Sequence, residues 1–244
     1  MTRPSFDDRR LSFGAAAARY ERFRPPFPAD AVRWVLDGAT RPVEDVADVG
    51  AGTGKLTRSL VEVAPRVTAF EPDAGMLAEL ALRVPQAARQ QARAEALPVA
   101  DHTFDAVTVA QAWHWFDRAA AAAEFRRVLR PGGVIALVWN IRDDHVPWMA
   151  DLSKLLESDE RPTSIGEITE ILPTAERAEF THTVPMAADD VIGLLSTISY
   201  VRLRPDADEV YAAAQDLLAS HPDTRGRDVL DVPYVTSTFR IPVP

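Results

Sequence analysis

Three glycines at alternate positions, Gly50, Gly52 and Gly54, lie between an apolar run and a stretch of helix-forming residues. The apolar run, residues 43–49, predicts a buried strand, and residues 56–64 predict a helix. Glycine accepts positive φ and has no Cβ, so a loop of this kind brings backbone N–H groups close to a ligand. The pattern therefore predicts a binding loop for a nucleotide-like molecule.

Two acidic residues flank this loop. Glu71 ends the next predicted strand, where a carboxylate can accept hydrogen bonds from both hydroxyls of a ribose. Asp48 stands two positions before the first glycine, where its charge can hold an ammonium group. NAD has no ammonium group, and Gly54 comes one residue earlier than the third glycine of the dinucleotide pattern Gly-x-Gly-x-x-Gly. A nicotinamide-dependent oxidoreductase is therefore the alternative, and not the first interpretation.

A second group of chemically useful residues follows the predicted central strand, 104–110. Ligands of open α/β sheets bind beyond the carboxyl ends of the strands, so we expect Trp113 and Trp115 to line the active cleft, and packing in the core is the alternative. Together with Trp139 they would suit an apolar or ring-bearing substrate. His114 is the one candidate for a general base, and the alternative is a structural hydrogen bond beside the tryptophans.

The segment Asp48–Gly54 resembles the first motif of the class I S-adenosylmethionine-dependent methyltransferases, and Glu71 resembles the acid of their second strand. The likeness continues in the family's order through residues 94–98, 104–107, 110–117 and 128–133. It is similar to the small-molecule subgroup that includes trans-aconitate methyltransferase and related bacterial enzymes. The resemblance implies transfer of a methyl group from S-adenosyl-L-methionine to an oxygen (carboxylate or hydroxyl) or another nucleophile of a small molecule, with S-adenosyl-L-homocysteine as the product. A protein that binds the cofactor without transferring methyl groups is a further alternative, because fold does not fix function.

The resemblance also implies which residues contact the cofactor. A tyrosine of an N-terminal lid faces the methionine end, which suggests Tyr20, and an apolar side chain packs on the adenine, which suggests Met76. The adenine amino group is expected near the backbone of Ala94 and the side chain of Glu95. The full expected set is Tyr20, Asp48, Gly50, Ala51, Gly52, Gly54, Glu71, Pro72, Met76, Ala94, Glu95, Gln111 and Ala112.

A substrate similar to trans-aconitate would need arginines to hold its carboxylates, bidentately where the geometry permits. Arg24 and Arg142 are candidates, as are Arg202 and Arg204, since their segments are expected to border the cleft. Pairing with surface acids is the alternative for each of them. A methyl acceptor needs a strong base only if it is a poor nucleophile such as an alcohol, because the cofactor carries the reactive electrophile.

The elements that position these residues predict an α/β fold. The resemblance implies a doubly wound, mostly parallel, seven-stranded Rossmann-like sheet with an antiparallel final strand, helices on both faces and an N-terminal helical lid. One domain is predicted over residues 1–244, with the lid at 1–38, the cofactor-binding core at 40–140 and substrate-side helices with the last strands at 141–244. Locally, the sequence predicts a third strand near 91–94, a tight turn at 130–133 and one helix over 189–203.

The composition indicates which partners, metals and membrane segments can be expected. A formal net charge of −9 over 244 residues argues against a general nucleic-acid surface, which needs basic patches. There are no cysteines, and the five histidines show no metal-ligand spacing, so no metal is expected. No apolar run approaches the length of a membrane span, and no signal-peptide pattern is present. We therefore expect a cytoplasmic monomer or homodimer whose partner is a small-molecule methyl acceptor.

Overall fold

A computed structural model of the chain describes residues 22–156 and 165–244. Tertiary contacts divide the described chain into two compact units. We call residues 26–140, 165–180 and 236–244 the core unit, and residues 22–25, 141–156 and 181–235 the accessory unit. The prediction that residues 1–244 form a single domain stays a prediction.

Seven strands form one sheet. They are β1 (Asp45–Val49), β2 (Arg66–Phe70), β3 (Ala88–Gln90), β4 (Phe104–Ala110), β5 (Leu129–Arg142), β6 (Glu176–Ala187) and β7 (Val229–Pro242). Their order in the sheet is β3-β2-β1-β4-β5-β7-β6. Strand β1 pairs in parallel with β2 on one side and with β4 on the other, so the chain reverses its direction of winding at β1. In open α/β sheets this switch point is where ligands bind.

The last strands are antiparallel, as the sequence predicted. The Gly132 N–H donates to the Val243 carbonyl at 3.0 Å, and the Asp143 N–H donates to the Pro233 carbonyl at 3.2 Å. Residue numbers therefore fall along β7 as they rise along β5, the mark of an antiparallel pair. The fold class is confirmed: a mixed, mostly parallel seven-stranded sheet surrounded by helices.

Nine α-helices are described. They are α1 (Ala29–Leu36), α2 (Lys55–Leu60), α3 (Ala74–Arg83), α4 (Arg118–Val128), α5 (Pro147–Leu156), α6 (Ile165–Ile171), α7 (Ala188–Leu195), α8 (Ser199–Arg202) and α9 (Ala207–Ser220). Helices α3 and α4 each begin after an aspartate whose carboxylate caps the first turn. Asp73 accepts from the Met76 N–H at 2.9 Å, and Asp117 accepts from the Ala120 N–H at 3.1 Å.

The core unit buries both faces of its sheet. Because successive side chains of a strand point to opposite faces, β5 divides its apolar run between two hydrophobic clusters. Val134, Ala136 and Val138 pack with α1, α2 and α3, whereas Ile135 and Leu137 pack with α4 and α6. This explains why the strand is a continuous apolar run in the sequence. Helices on both faces are therefore confirmed for the core unit.

The accessory unit has a hydrophobic core of its own. Helix α9 packs against α5 and α7, and Trp148, Leu152 and Val191 are among the buried side chains of this cluster. The single helix predicted over 189–203 is two helices, because α7 ends at Leu195 and α8 begins at Ser199. Apolar periodicity continues across the break, and this is why the sequence did not reveal it.

Two other local predictions were wrong. The third strand is β3 at Ala88–Gln90, which lies before the predicted range 91–94. All three of its residues are exposed, so the strand has no apolar pattern that the sequence could show. Its position is set by its pairing with β2. The predicted turn at 130–133 lies within β5 as a bulge. Phe104 pairs with Leu129 and Ala106 with Val134, so several residues of β5 face one residue of β4, and Gly132 and Gly133 pair instead with Val243.

An ion-pair cluster ties together the amino ends of β1 and β4. The Asp105 carboxylate accepts from the Glu44 and Asp45 N–H groups, each at 3.0 Å, and from the Arg130 guanidinium at 3.0 Å, and it pairs with Arg41 at 2.9 Å. Burial pushes the pKa of Asp105 upward, but the two backbone donors and Arg130 outweigh burial and leave the pKa below its ordinary value. The ionised carboxylate therefore stabilises the folded chain.

We expect Asp105→Asn to lower the free energy of unfolding by about 2 kcal/mol at pH 7, because the amide turns an N–H donor toward the guanidinium groups. Urea denaturation measures this, and Asp101→Asn is the control, since Asp101 is largely exposed beside Arg127. The folded pKa of Asp105 is depressed, so its contribution is present above about pH 4 and is lost as the pH falls through the folded pKa. Equal unfolding midpoints for the two variants would show that the cluster is not stabilising.

Candidate active site

The glycine loop joins β1 to α2 in the core unit. The Gly50 and Ala51 N–H groups both donate to the Phe70 carbonyl, at 2.8 and 3.1 Å, which fixes the start of the loop against the end of β2. Gly50, Gly52 and Gly54 have φ values of +68°, +57° and +88°, in the left-handed region that L side chains rarely adopt. The backbone conformation therefore requires glycine at these positions.

The three glycines differ in what surrounds them. A Cβ added at Gly50 would lie 2.7 Å from the Ala112 Cβ, and one at Gly54 would lie 2.9 Å from the Leu80 Cγ. A Cβ at Gly52 would meet only the Met76 Sδ, at 3.7 Å. Gly50 and Gly54 are therefore needed for packing, whereas a Cβ at Gly52 would meet no more than an ordinary contact with Met76.

Glu71 holds this loop against the next helix. The side chain is buried, and its Oε2 accepts from the Gly52 N–H at 2.9 Å while its Oε1 accepts from the Asp73 N–H at 3.0 Å. Burial raises the pKa of Glu71, and the two backbone donors oppose that rise. A carboxylate has about four lone-pair sites, so each oxygen keeps capacity for a ligand hydroxyl.

Asp48 lies behind the loop and is completely buried. Its Oδ2 accepts from the Thr57 hydroxyl at 2.6 Å, and its Oδ1 accepts from the Thr108 hydroxyl at 3.1 Å. Burial raises the pKa of Asp48 to about 6, against the effect of the two hydroxyl donors. Both oxygens are occupied and none of the side chain is exposed, so the expected direct contact with an ammonium group stays a prediction.

The two threonines are site residues that the sequence analysis missed. The parallel register pairs Asp48 with Thr108, and Thr57 lies on the buried side of α2. A polar residue at a fully buried position of an otherwise apolar strand is the signal that could have identified Thr108.

The segment after β4 contacts the glycine loop. Gln111 has φ of +56°, its N–H donates to the Val138 carbonyl at 2.9 Å, and its Nε2 donates to the Asn140 carbonyl at 2.9 Å. Positive φ at a residue other than glycine is costly and concentrates at functional sites. This turn sets Ala112 against Gly50, so the structure brings together the loop residues and the predicted Gln111 and Ala112.

The aromatic residues separate into core and partly exposed positions. Trp113 is 1% exposed and packs beside Phe125, and Trp139 is 7% exposed with its ring edge-on to Phe239. His114 and Trp115 are half-buried, with ring centroids 4.9 Å apart. The structure thus places two of the expected cleft-lining tryptophans in the hydrophobic core, and their contact with a substrate stays a prediction.

The predicted adenine contacts lie in a turn and not at the end of a strand. Ala94 is buried between Arg93 and Ala96, which form an isolated antiparallel bridge. The Glu95 carboxylate accepts from the Asp117 N–H at 3.0 Å and from the Arg93 Nε at 3.3 Å. Glu95 therefore helps to hold the start of α4, a role that sequence spacing could not show.

The other predicted residues lie elsewhere. Pro72 is exposed, and its carbonyl accepts from the Gln91 Nε2 at 2.8 Å; Tyr20 lies outside the described residues. In the accessory unit, Arg142 donates to the hydroxyls of Ser153 and Tyr200, and Arg24 donates to Thr197. Arg204 forms a bidentate pair with Asp206, so the alternative of pairing with a nearby acid holds for this arginine.

Residues 22–156 and 165–244 contain neither a candidate membrane span nor a candidate metal cluster. No helix in these ranges is long and apolar enough to cross a bilayer. In the same ranges, no three or more His, Cys, Asp or Glu side chains are grouped so that they could hold a metal ion.

Comparison with known proteins gives a consistent result. The methyltransferase domain family matches residues 47–137, which contain the glycine loop and the segment after β4. A solved structure from Anaeromyxobacter dehalogenans, proposed to be a type II methyltransferase, covers 89% of this chain and 95% of its own with 29% identity and a TM-score of 0.66. A phosphoethanolamine N-methyltransferase of Haemonchus contortus shares the fold at a TM-score of 0.57 and 15% identity, over 99% of this chain and 60% of that one.

A methyltransferase of Mycobacterium tuberculosis with no characterised substrate is similar along nearly the whole chain. It is 39% identical over 236 residues, which are 96% of each protein. An alignment of this length includes the glycine loop of the present chain and most of its accessory unit. The chain described here therefore belongs to the methyltransferase family.

Proposed function

We propose that this methyltransferase binds S-adenosyl-L-methionine at the glycine loop and transfers its methyl group to a small molecule. The observation that carries the proposal is the loop at Gly52, where an added Cβ would meet only the Met76 Sδ, at 3.7 Å, and where the backbone N–H contacts a buried carboxylate that keeps hydrogen-bonding capacity. The fold of the Haemonchus contortus enzyme, whose structure contains S-adenosylhomocysteine, supports the same cofactor. With the family shown, the oxidoreductase alternative is set aside.

Within this proposal the chain's residues bind and orient the cofactor. The loop backbone at Gly52 and the Glu71 carboxylate would hold the ribose and methionine portions, and Met76 would pack against an apolar face. When bound, S-adenosylmethionine supplies an electrophilic methyl group, so the protein has to position the acceptor and exclude water. His114 would act as a base only for a weakly nucleophilic acceptor such as an alcohol, whereas a carboxylate attacks without one.

The acceptor in the proposal is a small molecule with an oxygen or another nucleophile. A net charge of −9 supports this choice over nucleic acid. A cytoplasmic location and a monomeric or homodimeric state are part of the same proposal and rest on composition alone. The resemblance to the trans-aconitate subgroup is the reason for considering a carboxylate as the methyl acceptor.

Isothermal calorimetry tests the cofactor. We expect S-adenosylhomocysteine to bind with a dissociation constant in the micromolar range, and NAD and NADP to show no heat of binding under the same conditions. Binding of a nicotinamide cofactor, with no binding of S-adenosylhomocysteine, would overturn the proposal. Transfer of label from methyl-labelled S-adenosylmethionine to carboxylic acids, phenols or alcohols would then identify the acceptor class.

Glu71→Gln should weaken S-adenosylhomocysteine binding by about 1–3 kcal/mol, or roughly fivefold to 150-fold. The amide nitrogen cannot accept from the Gly52 or Asp73 N–H, so one of the two loop contacts is lost together with the charge. Glu79→Gln is the control, because Glu79 pairs with Arg83 on α3. If both variants bound equally well in calorimetry, the assignment of Glu71 would be wrong.

A further inference from the structure

Tyr234 in the accessory unit is a buried phenol whose hydroxyl lacks a hydrogen-bond partner in the described structure. The side chain is 4% exposed, and its ring stacks on His182 with centroids 5.6 Å apart and an interplanar angle of 24°. A buried hydroxyl without a partner is destabilising, and native structures contain few such groups. The position would be filled equally well by phenylalanine, so the hydroxyl needs another explanation.

Arg142 lies across from Tyr234 on the neighbouring strand. The Asp143 N–H donates to the Pro233 carbonyl at 3.2 Å, and this antiparallel register sets Arg142 opposite Tyr234. Directly opposed residues of an antiparallel pair project to the same face of the sheet. The guanidinium and the phenol therefore belong to one cluster.

The hydrogen-bond partners of Arg142 are neutral. Its Nε donates to the Ser153 hydroxyl at 2.9 Å and its Nη2 to the Tyr200 hydroxyl at 3.3 Å. Among the described residues, no carboxylate lies within salt-bridge distance of this half-buried guanidinium; the neighbouring Asp144 accepts instead from Ser153, at 2.6 Å. A guanidinium has five N–H donors, so Arg142 retains three that these contacts do not use.

Arg24 adds a second positive charge to the cluster. Its Nε and Nη2 donate to the hydroxyl and carbonyl of Thr197 at 3.0 and 3.2 Å. Burial raises the pKa of Tyr234 to about 12, and the charges of Arg24 and Arg142 act in the opposite direction. Both guanidinium groups are thus close enough to influence the phenol, which stays protonated and can donate at neutral pH.

We propose that Arg142, Tyr200 and Tyr234, with Arg24 beside them, bind the carboxylate of a small organic acid. A guanidinium edge matches the two oxygens of a carboxylate, and the phenol supplies a further donor that the apo structure leaves unused. These donors suffice for two oxygens but are few for the four oxygens of phosphate. The inference concerns binding of the acid by residues of the accessory unit alone.

The test is a binding titration of the full chain with benzoate, succinate and citrate, each up to tens of millimolar. Benzamide is the neutral counterpart of benzoate, and inorganic phosphate is the competing oxyanion. We expect at least one carboxylate to bind in calorimetry, benzamide to give no heat, and phosphate to bind at least tenfold more weakly than the best acid. Absence of carboxylate binding, or equal binding of benzamide or phosphate, would overturn the inference.

Variants assign the binding to this cluster. Arg142→Gln and Tyr234→Phe should each weaken the best carboxylate about tenfold or more, since hydrogen bonds to a charged ligand are lost. Arg204→Gln is the matched control, because Arg204 is paired with Asp206 in the same unit, and its affinity should be unchanged. Tyr234→Phe keeps the ring on His182 and should not lower the Tm, so a loss of binding cannot be attributed to unfolding. Unchanged affinity in both test variants would contradict the assignment.

The proposed function and this inference fail in different ways. If an organic acid binds through the cluster but S-adenosylhomocysteine does not bind the chain, the site stands and the proposed cofactor is wrong. If S-adenosylhomocysteine binds the chain and none of the acids binds through the cluster, the proposed function stands and the carboxylate site is wrong.

Discussion

Gly52→Arg is expected to abolish S-adenosylhomocysteine binding, with a loss of at least about a hundredfold, or ~2.7 kcal/mol. The Cβ at this position would meet only the Met76 Sδ, so a long side chain finds room in the space proposed for the cofactor. The chain can therefore fold while the binding space is filled. Calorimetry measures the affinity, and thermal unfolding shows how much of the fold is retained.

Gly226→Arg is the matched control for this variant. Gly226 has φ of +72° and no heavy atom within 4 Å of an added Cβ, so it combines the same left-handed backbone with open space. Both variants should lose roughly 1–2 kcal/mol of stability from the left-handed conformation. Only Gly52→Arg should lose cofactor binding, and normal affinity in that variant would show that the loop does not border the cofactor.

Asp48→Asn is expected to stabilise the ligand-free protein at pH 7 and to weaken cofactor binding. Burial raises the pKa of Asp48 from 3.8 to about 6, which corresponds to about 3 kcal/mol of destabilisation when the carboxylate is ionised. An amide can accept from Thr57 and donate to Thr108, whose hydroxyl also lies 3.3 Å from the Ala47 carbonyl. Urea denaturation without ligand should therefore show a gain of up to about 3 kcal/mol.

The difference in unfolding free energy between Asp48→Asn and the wild type should depend on pH. An acid with a raised folded pKa is protonated in both states below about pH 4, so the two proteins should then differ little. As the pH rises from about 4 to about 6, the unfolded chain ionises Asp48 more readily than the folded chain, and the wild type loses stability that the variant keeps. Above about pH 6 the difference should be constant.

Asp45→Asn provides the opposite case on the same strand. Hydrogen bonding to Arg66 lowers the pKa of Asp45 to about 2, so removal of this carboxylate should destabilise the protein at pH 7. Both variants remove one negative charge from β1, and only the surroundings differ. If Asp48→Asn lowered the Tm at pH 7 as Asp45→Asn should, the ionised Asp48 would be a stabilising group and the argument from burial would be wrong. Calorimetry with S-adenosylhomocysteine completes the experiment, because loss of the negative charge should weaken the attraction to the ammonium group of this ligand by roughly tenfold.

The sequence alone determined the features that depend on short stretches of chain. The strand, glycine loop and helix from β1 to α2 were predictable because each has a local signature in apolar runs and in residues that tolerate positive φ. The acid after β2, the aromatic segment after β4 and the family followed in the same way. The mostly parallel character of the sheet also followed, since strands that alternate with helices favour parallel pairing.

Only the tertiary structure decided which partner each polar side chain has. Glu95 holds the start of α4, Asp48 lies buried between two threonines, and Arg204 pairs with an acid while Arg142 contacts hydroxyls. These outcomes depend on elements distant in sequence that meet in register, and no local pattern encodes them. The same reason explains β3, an exposed strand selected by its pairing with β2. It also explains the burial of Trp113 beside Phe125 of α4 and of Trp139 beside Phe239 of β7.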